Sequence, residues 1–166
     1  MTTHKVTNKS EKSVEVFLKE KKIYQIVNPK LVQAPPTISI KNAIELMQQD
    51  KSGYIVLAKN KKVAGLFTED DVVAKILDQD VDWNRPVSEF MTTNWTKLKM
   101  TDSVGQAIDL MGERRLYHIP LVDDNDDLVN VLSVRTLIRF LAEFYPTEVY
   151  NLPPKLDQIM ETPEGG

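Results

Sequence analysis

Thr68 and Asp71 stand three residues apart where the apolar run Val63 to Phe67 gives way to Glu69-Asp70-Asp71. Two chemistries share that spacing. A threonine at a helix N-cap accepts a free amide hydrogen, and an aspartate in the first turn sits well against the helix dipole. Placed at a cleft rim, the same carboxylate could accept both hydroxyl hydrogens of a ribose cis-diol. A hydrogen bond to a charged group contributes roughly 1.5–3 kcal/mol. The adjacent helix N-terminus would offer amides and partial positive charge to a phosphate. Spacing alone favours capping, and the two roles are compatible.

The remaining chemistry-bearing residues are sparse. Tyr117 and His118 precede the apolar run Ile119 to Val122, with Arg114 and Arg115 just upstream. Taken singly, the arginines read first as a solvated helix end, Tyr117 as a packing aromatic and His118 as a satisfied structural imidazole. His4 is the only other histidine, so triad or histidine-metal chemistry has no basis here, and no catalytic residue is assigned. The Asp123-Asp124-Asn125-Asp126-Asp127 turn lacks the spaced Gly and terminal Glu of a calcium loop and reads as a solvated hairpin turn. No glycine-rich phosphate loop is present.

Composition narrows the classes further. With 166 residues, 42% of them hydrophobic and 27% charged, the chain fits one globular domain or two small ones. A net charge of −3 gives no electrostatic reason to expect nucleic acid. The absence of cysteine excludes disulfides and thiolate chemistry. No apolar run approaches the roughly 20 residues of a membrane span. Polar residues follow Met1 with no signal-peptide core, so a cytoplasmic location is the default expectation.

The elements that must position Thr68 and His118 occur twice. Ser39-Ile40-Lys41-Asn42-Ala43-Ile44-Glu45-Leu46-Met47 returns 64 residues later as Ser103-Val104-Gly105-Gln106-Ala107-Ile108-Asp109-Leu110-Met111. Ile55 and Leu57 meet Ile119 and Leu121 at the same offset, while Gly65 to Thr68 meets Asn130 to Ser133 at 65, one residue having entered the turn between. Ile40, Ala43, Ile44 and Met47 fall at helical spacing. Tyr54 to Ala58 and Val63 to Phe67 are continuous apolar runs, as in strands covered on both faces. Thr68 opens a helix through Leu77. The second copy predicts a strand near Thr96 to Leu98, a helix Val104 to Met111, strands Ile119 to Val122 and Leu128 to Leu132, and a helix from Ser133 to Phe144.

The fold class is therefore α/β (α+β): two pseudo-symmetric β-α-β-β-α units that share a core, since units this small seldom hold one each. The expected divisions are a polar N-terminal segment with a short helix (1–30), a first unit (31–85), a second (86–146) and an extended tail (147–166). Within the first segment, residues 1 to about 12 are expected to be loose and Ser13 to cap a helix carrying Val14, Phe17 and Leu18. Ile23 to Val27 and Leu31 to Gln33 read as extended. Pro86 starts a short helical stretch.

This order of elements, with Gly65-Leu66-Phe67-Thr68-Glu69-Asp70-Asp71, Tyr117-His118-Ile119-Pro120-Leu121-Val122-Asp123 and Val131-Leu132-Ser133-Val134-Arg135, resembles the cystathionine-β-synthase (CBS) domain in tandem, a CBS pair or Bateman module. The likeness covers roughly residues 30 to 146, and the tail Val149 to Pro154 resembles bacterial proteins made of a CBS pair and little else. It implies a regulatory module, not an enzyme, that binds an adenosine nucleotide (AMP, ADP, ATP or a relative) between its two domains. It also implies a homodimer whose rearrangement an effector protein reads. Short apolar helices that leave apolar surface on a monomer fit the dimer. The rival reading is a ligand-independent dimerisation scaffold.

The family pattern assigns Asp71 to ribose and Thr68 to ribose or phosphate. It turns basic residues near Tyr117 and His118 towards phosphate, with Pro120 following His118 as in the family, and lays the base against Val32, Gln33 and Ala34 and against Tyr54 and Ile55. The second copy departs from the pattern, with Asn130 for the glycine, Ser133 for Thr68 and Thr136 for Asp71. Threonine cannot present two anionic acceptors to a diol. One competent site per chain is expected, anchored in the first copy.

Overall fold

The structure is a computed structural model that describes residues 8–144, with side chains from Val14 onward. The chain runs α1 (Asn8–Glu20), β1 (Gln33–Ala34), α2 (Ile40–Gln49), β2 (Tyr54–Lys59), β3 (Lys62–Thr68) and α3 (Glu69–Val72), which continues as a π-helical turn Val73–Leu77. The second copy follows as β4 (Leu98–Lys99), α4 (Val104–Arg114), β5 (His118–Val122), β6 (Leu128–Ser133) and α5 (Val134–Phe144). Two three-stranded sheets result, ordered β1-β2-β3 and β4-β5-β6, each with one parallel and one antiparallel pairing. This is the expected α+β pair.

The sequence repeat becomes a structural one at each step. Ser39 accepts from the Asn42 amide (3.2 Å) and Ser103 from the Gln106 amide (3.1 Å), so α2 and α4 begin with the same cap. Lys51 (φ 50°) and Arg115 (φ 53°), 64 apart, take the left-handed conformation just past those helices, turning the chain into β2 and β5. Asn60 and Lys61, both at positive φ, make the two-residue β2–β3 turn, and the longer β5–β6 turn absorbs the extra residue. Ile55, Val56 and Leu57 are all fully buried, as a strand covered on both faces requires.

The two units exchange their leading segments. Ile23, ahead of the first unit, lies in the core of the second with Val104, Ala107 and Leu132. Val87, at the start of the second unit, lies in the core of the first with Ile40, Ala43 and Phe67. The main chain repeats the exchange: the Ile23 N–H bonds Asp102 O (3.0 Å) and the Val87 N–H bonds Ile38 O (2.8 Å). The amides of Val104 and Ile40 return bonds to Lys21 O (2.8 Å) and Arg85 O (3.0 Å). Val56, Leu66 and Val131, with Leu31, Tyr54 and Trp95 against them, fill the junction between the sheets.

Three local expectations are corrected. Ile23–Gln25 is a 3₁₀ turn rather than extended, matching the 3₁₀ turn Val87–Glu89 at the repeat offset. The first strand of the second copy is Leu98–Lys99, past Thr96. Helix α1 begins at Asn8, so Ser13 is internal; Ser10-Glu11-Lys12 is polar but contains no residue that breaks a helix. Residues 1–7 and 145–166, which include the expected extended tail, lie outside the described residues.

Candidate functional site

A cavity of about 470 Å³ opens at the junction of the units, within the usual ~300–1,000 Å³ of small-molecule sites. Its walls come from both copies. The ends of β3 and β6 contribute Thr68 and Ser133, the starts of β2 and β5 contribute Tyr54 and His118, and α5 contributes Arg135, Thr136 and Arg139. The segment before β1 adds Asn28, Lys30 and Val32, and the turn after α2 adds Asp50 to Gly53.

Of the residues singled out in the sequence, Thr68, Tyr54, Tyr117, His118 and Ser133 are thus brought together. Asp71, Gln33 and Pro120 are not on these walls. Asp71 is only 6% exposed and already saturated. Its Oδ2 accepts from the Thr68 amide (2.9 Å) and hydroxyl (3.0 Å), while its own amide donates to Thr68 Oγ1 (3.3 Å), a reciprocal capping box. Its Oδ1 accepts from Thr92 Oγ1 (3.2 Å) and pairs with Lys75 Nζ (2.7 Å), which also donates to Phe90 O (2.7 Å). Asp71 thus lies off the walls of this cavity, and its carboxylate bonds Thr92 directly and reaches Phe90 through Lys75. Gln33 is exposed on β1, opposite Val56. Pro120 is buried in β5 opposite Val131, on the face the sheets share.

The second copy's step into its helix, expected to be the weaker one, faces the open cavity. Ser133 Oγ accepts from the Thr136 amide (3.2 Å) and shares a hydrogen bond with Thr136 Oγ1 (3.0 Å). The open cleft thus has two hydroxyls where the opposite side has Thr68 and a closed carboxylate. Its carboxylates are instead Glu69 and Asp70 at the start of α3, and Asp50, which pairs with Lys30 at the rim.

Charge is divided across the cavity. Arg135 and Arg139, one turn apart on α5, face the side where Glu69 and Asp70 lie on α3, with Lys51 on the turn between α2 and β2. Arg114 and Arg115, read in the sequence as a helix end near the strand start that the family turns towards phosphate, are not on these walls: Arg114 donates to Thr96 Oγ1 (2.9 Å) and Arg115 closes α4. The His118 ring tilts against Tyr54 with centroids 4.5 Å apart. Burial holds its imidazole down to about 4; Asp70 pulls the other way and Arg135 adds to the depression. His118 is therefore neutral at pH 7, and cationic attraction in the cleft falls to the arginines and lysines. Arg135 and Arg139 stand four residues apart in the helix that follows Ser133, the signal that could have marked them in the sequence.

Among the described residues no group of His, Asp or Glu could hold a metal ion, and no helix is long and apolar enough to cross a membrane.

The CBS domain model matches residues 23–78 and 87–143. An uncharacterised 17.7 kDa protein of Acidianus ambivalens is 28% identical over 125 residues, 75% of either chain. A CBS domain protein from Pyrobaculum aerophilum, solved complexed with AMP, superposes with a TM-score of 0.67 at 23% identity over 75% of this chain and 98% of that one. The CBS domain pair of protein MJ0100, solved in complex with 5-methylthioadenosine and S-adenosyl-L-methionine, gives a TM-score of 0.67 at 21% identity over the same shares. Two matched segments, two copies of one strand and helix order, and a shared junction make this chain a member of the CBS domain family, carrying two CBS domains in tandem.

Proposed function

We propose that this chain is a regulatory module, not an enzyme, that binds an adenosine nucleotide (AMP, ADP or ATP) in the cleft between its two CBS domains. The observation that carries the reading is the approximately 470 Å³ cavity in which hydroxyls, two tyrosines and the arginines of one helix converge from both copies. Phosphate goes to the Arg135 and Arg139 side, where the N-terminus of the eleven-residue α5 adds its dipole. Asp70 and Thr68 take the ribose hydroxyls, and the base lies against Val32 and Tyr54. The bound ligands of the Pyrobaculum aerophilum and MJ0100 proteins support an adenosine ligand. Binding shifts the arrangement of the two domains, or of a homodimer, and an effector protein reads the change.

A thermal-shift panel of AMP, ADP, ATP, S-adenosylmethionine and NADH tests this. A ligand at a hundredfold its Kd stabilises the fold by roughly 2.7 kcal/mol. A panel that leaves the melting temperature unmoved throughout sinks the reading.

One observation favours the second reading, a ligand-independent dimerisation scaffold. Val73 and Ile138, equivalent at an offset of 65, are each 62% exposed on the outer helices. A chain that sediments as a dimer and ignores the whole panel is that scaffold.

A further inference from the structure

Among the equivalent positions at which the two sides of the junction differ, one pair changes how the backbone docks. In the first copy Gly65 lets the Thr92 segment dock directly: the Leu66 N–H bonds Thr92 O (3.0 Å) and the Thr92 N–H bonds Leu66 O (2.7 Å). A Cβ at Gly65 would lie 2.6 Å from Met91 Sδ and 2.9 Å from Thr92 O, so only glycine permits that approach. The equivalent of Thr92, 64 residues back, is Asn28, and the equivalents of Gly65 and Leu66 are Asn130 and Val131. There the direct contact is replaced. The Val131 N–H donates to Asn130 Oδ1 (2.8 Å), and Asn130 Nδ2 donates to Asn28 O (2.8 Å).

We propose that Asn130 is the positioning residue that keeps one cleft of the pair open, its side-chain amide standing as a spacer between β6 and the Asn28 segment. Asn130 is 4% exposed, and both the acceptor and one donor of its amide are used in the bridge. The amide reproduces the pairing of a peptide bond but sets Asn28 one amide group farther from the sheet than Thr92 is on the other side. Asn28, Lys30 and Val32 then form a wall of the open cavity, whereas Met91 and Thr92 lie directly on β3. Residue 130 therefore decides how many ligands the pair takes: one, on the α5 side. In this binding consequence the inference rests on the reading of that cleft as a nucleotide site; the opening itself does not.

The test is a crystal structure of full-length Asn130→Gly without ligand, together with calorimetric titration of AMP into wild type and variant. Direct main-chain pairing of Asn28 with Val131, loss of the cavity and at least a hundredfold weaker AMP binding than wild type are the expected results. A glycine variant whose Asn28 segment still stands off β6, with the cavity intact, overturns the inference whatever AMP does. If the variant closes but wild type binds no AMP, the inference holds and the nucleotide reading fails. Should the glycine variant not fold, the isosteric Asn130→Asp carries the test. It keeps the acceptor for Val131 and loses the donor to Asn28, so amide exchange over residues 28–32 should accelerate more than tenfold while the strands stay protected. Unchanged exchange there would equally overturn the inference.

Discussion

Tyr54 and His118 occupy the same place in the two copies, 64 residues apart, and their rings meet with centroids 4.5 Å apart. Equivalent residues can touch only near the axis that relates the copies, so this pair marks the pseudo-twofold. The contact is asymmetric in chemistry, since one partner is a phenol whose ionisation burial opposes and the other an imidazole kept neutral.

That neutrality gives a pH signature. His118 has an ordinary value of 6.5 when unfolded and about 4 when folded. Between those values the unfolded chain binds a proton that the folded chain refuses, so stability is complete above the unfolded value and is lost as pH falls towards the folded one. The loss reaches about 2–3 kcal/mol at the acid end. Urea denaturation of wild type and His118→Gln across this range measures it. Parallel pH profiles for the two proteins would refute it.

Asp71 serves the fold. Removing its carboxylate strands the Thr68 amide, the Thr92 hydroxyl and Lys75 together. Asp71→Ala should cost about 2–3 kcal/mol, a figure held down because Lys75 can rehydrate. AMP affinity should change less than about threefold, far below the ~1.5–3 kcal/mol of a lost charged hydrogen bond. Denaturation and titration of one sample read both quantities. A stable variant with collapsed affinity would return Asp71 to the ligand.

Much of this arrangement was legible in the sequence. The doubled segments that begin at Ser39 and Ser103 gave the helices and the offset that registers the strands. Which way Asp71 faces was not legible, because its partner Thr92 lies 21 residues on and only tertiary packing unites them. The Ile23 turn was legible only through its copy at Val87, whose preceding proline made the helical reading plain. Asn130 stood out as a break in the pattern, but a broken glycine position reads as a lost site until the spacing of Asn28 is known.

The arginines of α5 should dominate affinity. Arg139→Ala is expected to weaken AMP binding by about 10- to 100-fold, the range of a charged hydrogen bond. Lys30→Ala should do far less, because Lys30 is exposed and already paired with Asp50. Titration at low and high salt separates them further, since the arginine contribution lies inside the cleft and is screened less. Equal losses from both variants would move the phosphate to the rim.

The exchanged segments make the two units interdependent. Val87 is fully buried in the first core although it opens the second unit, and Ile23 is fully buried in the second. Val87→Ala should lower stability by about 1.5–3 kcal/mol, the value of burying such a side chain. Thermal unfolding should remain one transition, because neither core is complete without residues from the other unit's flank. A fragment of residues 31–85 lacks Val87 and the Val87–Ile38 bond, and should show little helix by circular dichroism. Extending it to residue 90 restores both, and helical signal should rise. Cooperative folding of the shorter fragment alone would mean that the exchange is dispensable, and that each CBS domain holds its own core.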